Sequence, residues 1–148
     1  MRRINLAVWH CSADRENHLK GKGRDYLDRV AKQRGFREVS YHIIILADGS
    51  IEYGRDVWEK GAHAKGYNTI SFGVVYIGGL DKNGKPKDTR TPEQKKTMRM
   101  IKQNLDYHYP GIKHVGHRDL SVDLNGDGVI SKNEWMKACP CFDVATEL

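Results

Sequence analysis

The sequence predicts an α/β fold, a single-domain mixed β-sheet flanked by helices, and three observations support this class. The chain has 148 residues, which suits one domain with one hydrophobic core. Apolar runs of strand length alternate along it with stretches whose apolar residues recur at helical spacing. One run, Ile70–Ile77, is apolar almost throughout, as expected of a central strand covered on both faces. Strands interleaved with helices favour helices packed on a sheet.

The first half of the chain predicts a strand, a helix and a hairpin. Ile4–Trp9 has the composition of a short buried strand, and Cys11–Lys22 is a polar loop. Arg24–Arg34 places apolar residues at helical spacing, and a glycine follows as a stop signal. Tyr41–Leu46 and Ile51–Tyr53 flank an Asp-Gly pair, which predicts two antiparallel strands.

The second half predicts a long loop, a capped helix and a last strand. Val57–Asn68 lacks a regular period and reads as a loop, a kind of segment that often carries function. A capping box that starts at Thr91, with proline at the first helical position, opens a helix that ends before Pro110. Ile112–His117 predicts another strand, and Ser131–Lys137 a short helical stretch.

Charge, hydropathy and cysteine content narrow the class of protein. Lys and Arg number 25 against 19 Asp and Glu, and the net charge of +6 favours an anionic partner such as nucleic acid or a cell-wall polymer. Basic residues form no recognisable nucleic-acid reader motif, and the apolar runs fall far short of the roughly 20 residues of a membrane helix. We see no secretory signal and expect synthesis in the cytoplasm. Three cysteines indicate a metal or free thiols rather than a disulfide scaffold.

A twelve-residue segment near the C-terminus has the spacing of an EF-hand calcium loop. The pattern supplies side-chain oxygens, a glycine for the sharp turn, a backbone carbonyl and a closing glutamate. The predicted calcium ligands are Asp123, Asn125, Asp127, Val129, Ser131 and Glu134. The alternative is an ordinary polar turn rich in Asp, Asn and Gly. A strand rather than a helix is expected before the loop, so a single loop of this kind favours structural calcium over a calcium sensor.

Seven histidines and three cysteines provide many possible ligands for a second metal. His114 and His117 are three residues apart, so in one strand they would point to opposite faces and would not bind the same ion. Only one of the two belongs in a site. Spacing alone does not say which, nor does it join His10 to residues more than one hundred positions away.

Six short blocks occur in a fixed order over most of the chain. They are Val8–Ala13, Tyr41–Ile44, Asp48–Arg55, Gly61–Asn68, Gly116–Asp119 and Lys137–Asp143. Together they resemble the type 2 N-acetylmuramoyl-L-alanine amidases, the family that includes phage lysozyme-type amidases and the animal peptidoglycan recognition proteins. The resemblance implies one amidase domain with this zinc amidase fold over residues 1–148, in which the calcium-type loop 123–134 is an insertion.

Carried over residue by residue, the resemblance implies a catalytic zinc site. The implied zinc ligands are His10, His117 and Cys139, with Tyr41 and Lys137 as catalytic neighbours. Three protein ligands leave a fourth position for water, which zinc activates for attack on an amide carbonyl. The implied roles of the two neighbours are to orient the water and to stabilise the developing negative charge, and either could transfer the proton.

The resemblance also implies a substrate loop. His63 is expected to contact substrate, and Asn68 either to contact it or to hold that loop. Cys11 and Cys141 are interpreted as buried thiols without a metal role. The calcium loop separates two blocks that a short connector joins in phage-type members. We therefore expect calcium to brace the segment that carries Lys137 and the cysteine ligand.

The function implied is that of a zinc hydrolase, an endolysin-type enzyme that cuts the amide between N-acetylmuramic acid and L-alanine in peptidoglycan. The alternative is a recognition module that binds peptidoglycan without cutting it, and the presence of Cys139 argues against this alternative. We expect a monomer that binds peptidoglycan or muropeptides and neither nucleic acid nor membrane. Action on the cell wall after release or export is expected. Phage lysis, antibacterial attack and wall recycling all stay open, as does the residue preferred in the stem peptide.

Overall fold

The computed structural model describes residues 2–148, which form a five-stranded sheet, a two-stranded sheet and three helices. The strands are β1 Leu6–Cys11, β2 Asp14–Arg15, β3 Ile43–Ile45, β4 Ile51–Tyr53, β5 Ser71–Tyr76, β6 Gly79–Leu80 and β7 Lys113–Gly116. The α-helices are α1 Arg24–Gln33, α2 Pro92–His108 and α3 Val144–Glu147. Short 3-10 turns cover Asn68–Ile70, His117–Leu120 and Lys132–Glu134.

The large sheet has the strand order β4-β3-β5-β1-β7. Strands β3, β5, β1 and β7 run parallel, and β4 pairs antiparallel with β3 through the predicted hairpin. The sheet is therefore mixed, as predicted. The predicted central strand is confirmed, because β5 lies in the middle of the sheet and all six of its residues are buried.

The helices cover the two faces of this sheet. On one face α2 packs Met98, Ile101 and Leu105 against apolar side chains of β1 and β5. On the other face Leu27 of α1 packs against Ile44 and other residues of the sheet. Because successive side chains of a strand point to opposite faces, β1 and β5 contribute to both layers. The face under α1 also carries the polar residues of the candidate site.

Helix α2 begins as the sequence predicts. The hydroxyl of Thr91 accepts a hydrogen bond from the backbone N–H of Gln94 at 3.1 Å, and the Gln94 side chain accepts one from the N–H of Thr91 at 3.0 Å. Gln94 is fully buried, and its amide also donates to the carbonyl of Ile77 at 3.0 Å, which ties the helix start to the end of β5. Within residues 2–148 no helix combines the length and apolarity required to cross a bilayer.

Several predicted boundaries differ from the structure, and three of these differences concern segments that carry the candidate site. The first strand covers Leu6–Cys11 rather than Ile4–Trp9. The polarity of His10 predicts that the strand ends before it, but the His10 side chain is buried in the candidate site and the strand continues through this residue. The last strand stops at Gly116, and His117 begins a 3-10 turn. The helical stretch predicted at Ser131–Lys137 shrinks to the turn Lys132–Glu134, because the backbone is extended again at the next residue.

The polar segment Cys11–Lys22, predicted as a loop, contains one further strand. Asp14 and Arg15 form β2, which pairs parallel with Gly79 and Leu80 of β6. Two residues carry too little periodicity for sequence analysis to detect such a strand. The pairing lies beyond the end of β1.

Candidate metal centre and active site

The candidate site lies at the carboxyl-terminal ends of β1 and β7. The two strands are parallel neighbours, and their register pairs Trp9 with Gly116. The next residue of each chain segment is a histidine, so His10 and His117 come side by side, with ring centroids 4.7 Å apart. Carboxyl ends of parallel strands are the usual place for binding sites in open α/β sheets.

Cys139 completes a group of three possible metal ligands. Its Sγ lies 3.7 Å from Nδ1 of His10 and accepts a hydrogen bond from the backbone N–H of Cys11 at 3.3 Å. One donor atom from each of His10, His117 and Cys139 lies within 4.8 Å of the other two. Nitrogen and sulfur donors on a tetrahedral zinc stand about 3.5 Å apart, so two imidazoles and a thiolate at this spacing fit that ion.

The segment that carries Cys139 is held from several sides. Tyr76 at the end of β5 donates its hydroxyl hydrogen to the carbonyl of Pro140 at 2.7 Å, and this bond is buried. The backbone N–H of Arg118 donates to the carbonyl of Cys139 at 2.9 Å. The Arg118 guanidinium also stacks 3.9 Å above the ring of Trp135. The sequence carries no signal for these supporting roles, although Arg118 lies in one of the matched blocks.

The histidines of the group are in the form that binds metal. Burial lowers the pKa of His10 well below its usual value, and the neighbouring His63, His117 and Lys137 lower it further. Burial also lowers the pKa of His117, again with a contribution from Lys137. Both rings are therefore neutral at pH 7, and a neutral imidazole is the ligand that zinc requires.

Tyr41 and Lys137 lie with the three ligands around one cleft of about 330 Å³. The Tyr41 ring packs edge-on against His10 with centroids 5.1 Å apart, and burial raises the pKa of its phenol above the usual value. Lys137 is exposed to solvent and close enough to affect both histidines. The cleft continues along α1 to Arg34 and Phe36. A phenol, an ammonium group and three metal donors therefore face one space.

His63 borders the same cleft, but both of its ring nitrogens already have partners. Its Nδ1 lies 2.9 Å from Nε2 of His10, and its Nε2 lies 3.2 Å from the hydroxyl of Ser71. Burial lowers the pKa of His63 to about 3, so the ring is neutral. Asn68 holds this loop, since its Oδ1 accepts the backbone N–H groups of His63 and Ala64 at 2.9 Å each.

The histidine of β7, His114, lies outside the group of possible metal ligands. His114 accepts a hydrogen bond from Nε1 of buried Trp9 at 3.1 Å, and its other ring nitrogen lies 2.7 Å from Asp106. The two thiols without a predicted metal role are neighbours, with the sulfur atoms of Cys11 and Cys141 3.9 Å apart. Hydrogen bonding to Cys139 and burial raise the pKa of Cys11 to about 12. Cys141 is half-buried rather than fully buried.

The loop with calcium-type spacing folds back on itself. Oxygen atoms of Asp123, Asp127 and Glu134 lie within 4.8 Å of one another. The carboxylate of Glu134, whose residue is 4% exposed, accepts backbone N–H groups of Ser131, Asn125 and Leu124. Acidic groups of a polar turn adopt similar positions without an ion, so this arrangement is compatible with both interpretations of the loop.

Comparisons with known proteins agree with this fold. The family described as N-acetylmuramoyl-L-alanine amidase matches residues 1–141. The endolysins of Klebsiella phage KP32 and Escherichia phage T7 are each 35% identical over 135 residues, which cover 91% of this chain and 79% of theirs. The solved amidase LysC from Clostridium intestinale URNW has a TM-score of 0.72 and 24% identity, and the match covers 96% of this chain and 79% of that one.

The chain belongs to the type 2 N-acetylmuramoyl-L-alanine amidase family. The predicted family and fold are therefore confirmed. The enzyme class follows from the same matches: the chain is an N-acetylmuramoyl-L-alanine amidase that acts on peptidoglycan.

Proposed function

We propose that this amidase depends on zinc and hydrolyses the bond between the lactyl group of N-acetylmuramic acid and L-alanine in the cell wall. One observation carries the proposal: His10, His117 and Cys139 offer two nitrogens and a sulfur within 4.8 Å of one another, and all three line one cleft. This set matches a catalytic rather than a structural zinc site, because it has three protein ligands and opens on a cleft. We propose that the whole chain forms one amidase domain with loop 123–134 as its insertion.

The proposed metal ligands and Lys137 have different parts in this reaction. His10, His117 and Cys139 would hold the zinc. When bound, zinc in such a site polarises a carbonyl and lowers the pKa of water toward about 7. Lys137 brings a positive charge to the cleft, where it would stabilise the negative charge that develops on the amide oxygen.

Tyr41 would supply a hydrogen bond rather than a base. Burial raises the pKa of its phenol, so the hydroxyl keeps its proton at pH 7. A protonated hydroxyl beside His10 can orient the attacking water or donate to the developing charge. Phenylalanine at this position would keep the ring contact and lose that donor. His63 and Asn68 would act on substrate mainly by shaping the wall of the cleft, since the Asn68 side chain and both ring nitrogens of His63 already have protein partners.

The decisive experiment is digestion of purified peptidoglycan with and without a zinc chelator. New α-amino groups of alanine are scored separately from new reducing sugar ends. Amines that disappear with chelator and return with added zinc would support the proposal. New sugar ends would show that the wrong bond has been assigned, and wall binding without either product would favour a recognition module.

Two variants of neighbouring cysteines make this test specific. Cys139→Ser removes a proposed ligand, so we expect loss of zinc and of activity. Cys141→Ser alters a half-buried thiol of the same segment that lies outside the ligand group, so zinc content and activity should persist. Equal loss of zinc and activity in both variants would mean that disruption of the segment, rather than removal of a ligand, causes the loss.

We further propose that loop 123–134 binds structural calcium and braces the segment of Lys137 and Cys139. The support is the spacing of six ligand positions and the approach of the oxygens of Asp123, Asp127 and Glu134. The variant Asp123→Ala with Glu134→Ala should abolish any calcium-dependent rise in melting temperature and lower activity. A wild-type chain that melts identically with calcium and with chelator would contradict the proposal.

A further inference from the structure

A chain of hydrogen bonds runs from the candidate metal ligand His10 into the protein interior. Nε2 of His10 lies 2.9 Å from Nδ1 of His63. Nε2 of His63 lies 3.2 Å from the hydroxyl of Ser71, which lies 2.7 Å from the carbonyl oxygen of Tyr67. Ser71 is fully buried, and the two histidines are 2% and 7% exposed. Solvent therefore cannot replace any of these partners easily.

The last acceptor in this series of hydrogen bonds, the carbonyl of Tyr67, fixes the position of each proton in the series. The carbonyl of Tyr67 can only accept, and two oxygens 2.7 Å apart need a hydrogen between them, so the hydroxyl of Ser71 donates to Tyr67. The hydroxyl has no second hydrogen, so it must accept one from Nε2 of His63. The neutral ring of His63 then has a lone pair on Nδ1, which accepts from Nε2 of His10. This leaves the lone pair of His10 on Nδ1, the atom 3.7 Å from Sγ of Cys139.

The His63 ring has little freedom to leave this arrangement. A Cβ atom at Gly73 of β5 would lie 2.6 Å from Cγ of the ring, and one at Gly61 would lie 2.6 Å from its Cδ2. Two glycines therefore make the slot that the ring occupies. The ring of His42 packs edge-on at 5.9 Å between centroids. Rotation of His63 into its flipped form would also leave the buried hydroxyl of Ser71 facing a carbon atom.

We propose that Ser71 is a positioning residue, which acts through His63 to hold His10 in the tautomer that presents Nδ1 to zinc. This inference rests on the proposed zinc site. Partners of metal-binding histidines typically change metal affinity by about 10- to 100-fold when they are removed. Here the hydroxyl group of Ser71 selects the tautomer of His10 although it does not contact His10, because His63 lies between the two.

The first test is the zinc affinity of Ser71→Ala at a fixed pH of 7.5, measured by competition with a chromophoric chelator. We expect affinity to fall about 10-fold, since without the hydroxyl either tautomer of His63 is allowed. Thr97→Val in α2 is the matched control. It also removes a buried hydroxyl, which donates to the Gly49 carbonyl at 2.6 Å. It should lower the melting temperature without changing zinc affinity. Equal zinc affinity in Ser71→Ala and wild type would overturn the proposal.

Substitution of His63 separates positioning from a structural effect. The amide of His63→Asn can place an acceptor near the position of Nδ1, whereas His63→Leu cannot. We expect zinc affinity to fall more in His63→Leu than in His63→Asn. Adding Ser71→Ala to His63→Asn should cause no further loss of zinc affinity. The amide oxygen of asparagine is always an acceptor, so it does not depend on a hydrogen bond to Ser71. Losses that simply add in the double variant would contradict the proposed pathway.

Nitrogen NMR of the histidine side chains tests the same idea without a substitution. In the zinc-loaded wild-type chain, the proton of His63 should reside on Nε2 and that of His10 on Nε2. A proton on Nδ1 of His63 would overturn the inference even if every variant failed to fold. Failure of the wild-type chain to bind zinc at all would instead overturn the proposed function, so the two failures can be told apart.

Discussion

His10 and His117 lie side by side because β1 and β7 run parallel in a register that pairs the residues just before them, Trp9 and Gly116. The contact between the two imidazoles is thus a consequence of sheet geometry. A strand pairing shifted by two residues would separate the rings by more than 6 Å, since each strand residue advances about 3.3 Å. The candidate metal centre therefore depends on the same hydrogen bonds that build the sheet.

This geometry predicts that substitution of the two histidines near the end of β7 affects different properties, zinc binding for His117 and stability for His114. His117→Ala should abolish zinc binding and amidase activity while the chain stays folded. His114→Ala should retain both but lower the free energy of unfolding by about 1–3 kcal/mol, because buried Trp9 loses the acceptor for its indole N–H. Zinc content, activity per folded molecule and urea denaturation measure these effects. Loss of zinc in His114→Ala would contradict the assignment.

The buried hydroxyl of Tyr76 should matter for the cysteine ligand. Tyr76→Phe leaves the carbonyl of Pro140 without its partner, so we expect a loss of about 1–3 kcal/mol in stability and weaker zinc binding. Chemical denaturation and chelator competition test the two effects. Tyr107→Phe is the control, because Tyr107 is 80% exposed and should tolerate the change. Unchanged zinc affinity in Tyr76→Phe would show that the Cys139 segment is held without this bond.

The loop over the cleft should depend on one side-chain oxygen of Asn68. Asn68→Ala removes the acceptor of two backbone N–H groups, at His63 and Ala64, so we expect kcat/KM to fall and the melting temperature to drop. Asn68→Asp keeps an oxygen at that position and should retain most of both. Steady-state kinetics on soluble muropeptides and thermal melts compare the variants. Equal damage in the two variants would indicate that the amide nitrogen has the important contact.

The acidic loop should give a pH-dependent contribution to stability. Hydrogen bonds from Ser131 and other backbone groups lower the pKa of Glu134 from 4.5 to about 2. The folded-state pKa is depressed, so the stabilisation is present above about pH 4.5 and is lost as the pH falls toward 2. In a calcium chelator, the difference in melting temperature between wild type and Glu134→Gln should be constant near neutral pH and shrink in acid. A difference that grows in acid would contradict this assignment.

The sequence alone determined the elements whose causes are local. The capping box at Thr91, the Asp-Gly hairpin between β3 and β4 and the apolar run of β5 each depend on residues a few positions apart. Such patterns act through neighbours in the chain, so they can be read without a structure. The order of the matched blocks indicated the family, and with it the residues of the candidate site.

Only the tertiary structure decided how those residues meet. Sequence spacing could not choose between His114 and His117 or connect either to His10, because their contact depends on the parallel register of two strands far apart in the chain. The hydrogen-bond chain through His63 to Ser71 was likewise invisible, since it links three segments that come together at one face of the sheet. Long-range pairing leaves no periodic signal in the sequence, and that is why the fold was predictable while the geometry of its candidate metal centre was not.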